Sequence, residues 1–391
     1  MNRMIKKVIS KLLRFIYRNT YQHIKVNKNM VLFLSFHGRG FSDNPRALYE
    51  YMQAHTQYKN YDCIWALKDT SLSVAGAKVI RYNGPLYFYY LAKSKYWIVN
   101  CKLPDHILKK EDQIYLQTWH GTPLKKLAHD IEVSDDTTFY RSKMNKQEMQ
   151  ATYDKDVAKY NYMISPNAFC TKVFQSAFHI NKERLIETGY PRNDYLSNHN
   201  VEDEMKVKKQ YHLPLDKKII LYAPTWRDNC YNNKGYTFEL AVDFKKWQEV
   251  LGDEYIVIFK PHYLIVNHFD ENEVKDFVYQ MPANIDINQL YVVADLLITD
   301  YSSVFFDYAI LNRPMLFYMY DIDTYALDLR GFYFDIHKVL PGKIVTSQDE
   351  LLNEIPKARL DSNQITLFHQ EFNTKEDGNA SKRVLKILFN K

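Results

Sequence analysis

The chain has 391 residues, 46% hydrophobic, 15% aromatic and 25% charged, with 11 Gly and 13 Pro. That length holds two ordinary domains with separate cores, and that composition excludes disordered and collagen-like chains. A net charge of +6, with no zinc-finger, helix-turn-helix or aromatic RNA-binding pattern, argues against a nucleic-acid partner. Cys63, Cys101, Cys170 and Cys230 never form a CxxC pair, which points to free thiols in a reducing compartment and to no zinc site.

The first predicted element is basic and amphipathic. No acidic residue occurs from Met1 through Ser42, while Arg3, Lys6, Lys7, Lys11, Arg14, Arg18, Lys25 and Lys28 supply positive charge. Ile5, Val8, Ile9, Leu12, Leu13 and Ile16 recur at the spacing of one helical face. Charges interrupt the apolar residues too often for a signal-peptide core or a spanning helix. Residues 1–28 are therefore expected to form a helix lying on an anionic membrane surface.

Strand-like and helix-like segments then alternate. Strands are predicted at 30–36, 63–67, 96–100, 114–118 and 162–165, with a helix starting near Pro45. The chain turns polar around 198–209, and strands resume at 218–223, 255–260, 295–299 and 315–318. Short Val/Ile/Leu-rich strands alternating with helices imply parallel sheets covered by helices. The midway restart implies two such α/β domains, 29–200 and 201–391, facing each other across a cleft. There is no internal repeat or low-complexity tract.

Six polar motifs each follow a predicted strand: Ser35-Phe36-His37-Gly38, Trp119-His120-Gly121-Thr122, Ser165-Pro166-Asn167, Ala223-Pro224-Thr225-Trp226-Arg227, Lys260-Pro261-His262 and Thr299-Asp300-Tyr301-Ser302-Ser303. Open parallel sheets bind ligands beyond the carboxyl ends of their strands, so these motifs define an interdomain active site. His120 stands in a Gly-flanked turn, suited to take a proton from an attacking hydroxyl. Pro123 is expected to open a helix whose exposed N–H groups, with Gly121, Thr122, Leu124 and Lys125, form an anion cradle.

Lys260 and His262 flank a strand-stopping Pro261 and suit charge building on a diphosphate leaving group. Arg227 would grip phosphate bidentately beside Thr225, and Trp226 would pack nearby. Ser302 and Ser303 open a helix and make a second anion cradle. Asp307 would bond a ribose or polyol hydroxyl or orient Ser303, and Asp300 fits an N-cap as well as a catalytic role. Walker, dinucleotide-glycine, HExxH and Gly-x-Ser-x-Gly signatures are absent, and no Asp-x-Asp stands where a nucleotide-bound divalent metal would want paired carboxylates, so no metal or cofactor is expected.

As an ordered set, these segments resemble the CDP-glycerol glycerophosphotransferase family of wall teichoic acid synthesis. The motifs are SFHGRGFSDNPRALYEYM (35–52), LQTWHGTPLKKL (116–127), GYPRNDYL (189–196), APTWRDN (223–229), FKPHY (259–263), ITDYSSVFFDYAILNRPMLFYMYDIDTY (298–325) and RGFYFD (330–335). The resemblance implies a fold of the glycosyltransferase B type and peripheral attachment to the cytoplasmic face of the cell membrane. It implies CDP-glycerol as donor, a polyprenyl-diphosphate-linked saccharide as acceptor, His120 as general base and His262 as stabiliser of the departing CMP. The donor would lie in cradles at 121–124, 225–227 and 302–307, and the family leaves room for a homo-oligomer. The short segment before the first predicted strand leaves no room for a further N-terminal domain, which favours a transferase extending a primed acceptor. Alternatives are a ribitol-phosphate enzyme or primase of the same family and, further off, a nucleotide-sugar glycosyltransferase.

Overall fold

Apolar runs such as 31–34 and 219–223 become strands buried on both faces, as parallel sheets covered by helices require. The structure is a computed structural model that describes residues 3–134, 144–225, 231–232, 235–236, 240–260, 271–282, 285–322 and 331–389. In the first lobe, β1 (Asn27–Leu34), β2 (Asp62–Leu67), β3 (Ala77–Arg81), β4 (Ser94–Val99), β5 (Ile114–Gln117), β6 (Tyr162–Ser165) and β7 (Leu185–Glu187) form one sheet. Its order is β3-β2-β1-β4-β5-β6-β7, and every pairing is parallel.

The second lobe begins with β8 (Lys218–Ala223) and a short antiparallel pair, β9 (Tyr231–Asn232) and β10 (Gly235–Tyr236). It continues with β11 (Tyr255–Phe259), β12 (Val278–Gln280), β13 (Leu296–Thr299), β14 (Met315–Tyr318) and β15 (Lys343–Val345). The order β12-β11-β8-β13-β14-β15 is again wholly parallel. Alternation along β8 sends Ile219 and Leu221 into one core and Ile220 and Tyr222 into another, one on each face. The predicted two-sheet α/β architecture is present. The sequence reading passed over four short edge strands, β3, β7, β12 and β15.

The direction in which successive strands are laid across the sheet reverses between β1 and β4 in one sheet and between β8 and β13 in the other, while all strands stay parallel. Such switch points open the crevices in which doubly wound sheets bind ligands. The last helix, Ala380–Phe389, does not stay with the second sheet, where an expected domain of 201–391 would put it. Its Val384, Leu385, Leu388 and Phe389 enter the first core, with the Phe389 ring 4.5 Å from Tyr61 and 4.6 Å from Tyr96.

The N-terminal helix spans Arg3–Asn19 and turns Val8, Ile9, Leu12, Phe15 and Ile16 to solvent. Among the described side chains of this helix, Tyr17 alone is buried, against Tyr21 and Phe88. Among the described residues, no helix is long and apolar enough to cross a membrane. Cys63, Cys101 and Cys170 are buried free thiols, and Cys230 lies outside the described residues.

Candidate active site

His120 follows β5 by three residues, beside the first switch point. Its Nδ1 lies 2.9 Å from the carbonyl oxygen of Asn100, at the end of β4. A carbonyl only accepts, so Nδ1 carries the proton and Nε2 keeps a free lone pair. Trp119 stacks on the imidazole at 4.5 Å and Phe36 meets it edge-on at 5.8 Å, which fixes the ring plane.

His120 is exposed, yet Phe36, Trp119, Asp43 and Arg192 crowd its ring. Desolvation lowers its pKa, Asp43 and the Asn100 carbonyl pull it partly back, and Arg192 lowers it again. The imidazole is therefore neutral near neutral pH and ready to accept a proton. Phe36 (φ 44), His37 (φ 57), Asp43 (φ 62) and Trp119 (φ 53) all take left-handed backbone around this ring. Such strain in non-glycine residues costs about 1–3 kcal/mol each and concentrates at functional sites.

The expected helix after Pro123 is absent. Residues 121–127 run as an irregular strap, and the next helical turn is the short 3-10 segment Ala128–Asp130. Trp119 and Ala128 belong to the first core, but Leu124 between them is buried in the second. The strap pairs with the second lobe: Tyr333 N–H donates to the Leu124 carbonyl at 3.1 Å, and Lys126 N–H to that of Gly331 at 2.9 Å. Lys125 bridges to Phe332, and the Tyr333 hydroxyl accepts from Leu127 N–H at 3.0 Å.

Gly121, Thr122 and Pro123 are buried within the strap, and Thr122 bonds its hydroxyl to the Cys170 thiol. This segment thus lacks the helix-end cradle expected from its sequence. An extended chain that borrows partners from the other lobe satisfies its backbone without helical hydrogen bonds. Asn167 also differs from expectation. Its side-chain oxygen caps the helix Ala168–Phe178 by accepting from Cys170 N–H at 2.8 Å, and its amide donates to the Phe372 carbonyl at 2.6 Å.

Across the cleft, Asp300 accepts from both the N–H and the hydroxyl of Thr225, at 2.9 and 2.7 Å. This pair spans the second switch point, so Asp300 organises the turn after β8 and is not an N-cap. Ser302 and Ser303 precede the helix Val304–Tyr308 as expected, with Ser303 at the N-cap. Lys260 Nζ donates to the Pro282 carbonyl at 3.3 Å, and desolvation lowers its pKa. His262, Trp226 and Arg227 lie outside the described residues.

Asp307 is buried, and each of its oxygens accepts from the Pro191–Asn193 turn between the lobes: Arg192 Nη2 at 2.7 Å and Asn193 Nδ2 at 2.9 Å. Asp43, Asn44, Asn100, Arg192 and Asn193 were assigned no role from sequence. The DNPR and PRND strings carried the signal, but a polar residue's partner so far along the chain is invisible to local pattern.

Among the described residues, His129, Asp154 and His179 bring one ligand-type atom each within 4.8 Å of one another. His129 pairs with Asp154 at 2.7 Å, and the two imidazoles stack with centroids 3.8 Å apart. In-plane lone pairs of stacked rings run side by side, so the group is not arranged around an ion.

Two parallel-sheet lobes, with a neutral histidine on one and a strand-to-helix serine turn on the other, define a transferase of the glycosyltransferase B type. A family model described as CDP-glycerol:poly(glycerophosphate) glycerophosphotransferase matches residues 16–390, and the chain belongs to that family. It is 39% identical over 398 residues to the teichoic acid glycerol-phosphate transferase of Staphylococcus aureus (strain NCTC 8325 / PS 47), covering 99% of this chain and 100% of that one. Identity to the teichoic acid poly(glycerol phosphate) polymerase of Bacillus subtilis (strain 168) is 41%, over 98% of this chain but 52% of the polymerase.

A solved structure of a variant of the wall teichoic acid polymerase TagF, soaked with CDPG, superposes with a TM-score of 0.88 at 36% identity, covering 99% of this chain and 95% of that one. The UDP-GlcNAc 2-epimerase of Neisseria meningitidis, at TM-score 0.53 and 11% identity, shares the fold alone.

Proposed function

We propose that this protein transfers glycerol phosphate from CDP-glycerol to the terminal hydroxyl of a primed, polyprenyl-diphosphate-linked acceptor and releases CMP. The observation that carries the reading is the His120 Nδ1–H bond to the Asn100 carbonyl, which leaves Nε2 of this exposed residue as an unprotonated acceptor. In the step, the acceptor oxygen bonds to the glycerol-bearing phosphorus while its proton passes to His120 Nε2. The bond from that phosphorus to the oxygen bridging the two phosphates breaks, and the bridging oxygen leaves with the electron pair as part of CMP.

Arg227, Ser302 and Ser303 hold the donor's phosphates, Thr225 and Asp300 shape the turn beside them, and Lys260 and His262 meet the charge that develops on the leaving group. The glycerol-phosphate transferase reading is supported by the full-length match to the S. aureus relative.

The reaction takes place at the cytoplasmic membrane face. The exposed Val8, Leu12 and Phe15, interleaved with Lys11, Arg14 and Arg18, form an apolar face with a basic border suited to anionic lipid. The test is to incubate pure protein with CDP-glycerol or CDP-ribitol and a primed lipid analogue, then weigh the products. A glycerol-phosphate increment with CMP release is expected, lost in His120→Ala and His262→Ala. A sugar increment, release of UDP from a nucleotide-sugar, or undiminished turnover in either variant would overturn it.

A further inference from the structure

The GYPRNDYL and SDNPRALYEYM motifs supply none of the reacting groups above, yet the structure joins them at the centre of the molecule. Arg192 lies on the short turn Pro191–Asn193, between β7 of the first sheet and the helix Asp194–Asn198, whose Leu196 packs in the second core. Its Nη1 donates to Asp43 Oδ1 at 2.6 Å and to the main-chain oxygen of His120 at 2.8 Å. Its Nη2 donates to Asp307 Oδ2, on the other lobe, at 2.7 Å. Its own main chain is held from both sides, the N–H by Asn44 at 3.1 Å and the carbonyl by Asn288 at 2.6 Å.

We propose that Arg192 is a positioning residue for the transfer, latching the main chain of His120 to Asp43 on its own lobe and to Asp307 on the facing lobe. It thereby sets the height of the base above the Ser303 turn. The proposal rests on the reading of His120 as the base.

Three arguments support it. The side chains of Arg192, Asp43 and Asp307 are only 11%, 4% and 6% exposed, so this is no solvated surface pair, and losing one member strands a charge away from water. A guanidinium can address three acceptors in one plane, which an ammonium cannot. Finally, the strap residue next to His120 is Gly121, where an added β-carbon would lie 3.1 Å from Ser303 Oγ and 3.9 Å from Arg192 Nη2. The latch therefore sits beside a close approach of the two lobes.

Among the described residues, the charged or titratable groups facing His120 are Asp43, Arg192 and His37. Desolvation pushes His37 down to about 4, so it is neutral at working pH. Removing the Arg192 cation raises the proton affinity of His120, and removing the Asp43 anion lowers it. The opposite shifts show that both charges act on His120, and a loss of kcat at unchanged KM and thermal midpoint separates a positioning role from a merely structural one.

The experiment compares full-length wild type, Arg192→Met, Arg192→Lys, Asp43→Asn and His120→Ala with CDP-glycerol and a primed lipid analogue. It reads kcat, KM, thermal midpoint and the pH profile of kcat/KM. Arg192→Met is expected to lower kcat at least about 100-fold while KM for CDP-glycerol changes less than about threefold, with partial recovery in Arg192→Lys. The acid limb of the profile should move to higher pH in Arg192→Met and to lower pH in Asp43→Asn.

Wild-type kcat in folded Arg192→Met, or an unmoved acid limb in both variants, overturns the latch. Should Arg192→Met not fold, the near-isosteric Asp43→Asn decides by its limb alone. An inactive His120→Ala beside normal Arg192 variants would sink the latch and keep the base, whereas an active His120→Ala would sink the base itself.

Discussion

Gly121 on the first lobe lies so close to Ser303 on the second that a β-carbon added to Gly121 would sit 3.1 Å from the serine hydroxyl oxygen. The glycine is needed there for close approach, not for an unusual backbone angle. Gly121→Ala should push the lobes apart by a few tenths of an ångström and lower kcat about tenfold or more, because small misplacements of reacting groups cost heavily. Steady-state kinetics of the purified variant measure this, and unchanged kcat would show that the lobes tolerate the wedge.

His120 offers a pH signature. Desolvation holds its pKa below the ordinary 6.5, so the neutral base is fully present above that value and is lost as pH falls through the lowered pKa. The acid limb of kcat/KM should therefore have its midpoint below 6.5 and vanish from the residual activity of His120→Ala. A midpoint above that value, or a limb persisting in the variant, would assign the titration elsewhere.

Asn167 caps a helix and ties it to the Phe372 carbonyl, so its loss should cost stability before affinity. Asn167→Ala should destabilise the fold by about 1–2 kcal/mol, as loss of an N-cap does, with KM for CDP-glycerol unchanged. A raised KM with an unaltered melting midpoint would return Asn167 to the donor site.

The carboxyl of Glu376 is pushed up to about 8, chiefly by desolvation, with Asp307 adding to the rise and the Tyr190 N–H opposing it. The folded chain thus keeps this proton in a range where the unfolded chain has lost it. That contribution to stability is present at acid pH and disappears as pH rises from the ordinary 4.5 through about 8. Glu376→Gln keeps an acceptor for the Tyr190 N–H and removes the titration. Melting curves should show the variant gaining on wild type as the solution turns alkaline, and a constant difference across pH would refute this.

The exposed face of the N-terminal helix should carry membrane binding. Burying an aliphatic or aromatic side chain is worth about 1.5–3 kcal/mol, so Leu12→Ser with Phe15→Ser should weaken vesicle binding by more than about tenfold. Co-sedimentation with anionic vesicles at low and physiological salt measures it, and equal pelleting of variant and wild type would remove the idea. Tyr17 is buried in the first core, so a truncation meant to spare the fold should end before it.

Much of the architecture was legible because it is written locally. Apolar runs bounded by Pro, Gly and polar residues marked the interior strands, and strand-end motifs marked the cleft edge. The edge strands β3, β7, β12 and β15 escaped because three to five residues with mixed burial carry too little pattern. The stretch after His120 misled for a related reason. Gly121-Thr122-Pro123 reads as a helix start, but Leu124 gains more by entering the second core, and the chain there stays extended.

By itself the sequence determined the two α/β lobes, the basic amphipathic N-terminus and the motifs that carry the chemistry, since each depends on neighbours along the chain. Only the tertiary structure decided which polar groups meet. Asn100 sets the tautomer of His120 from another strand end, and Arg192 reaches Asp43 and Asp307 across 149 and 115 residues. Hydrogen bonds act over about 3 Å, so such partnerships exist only after folding has brought distant segments together.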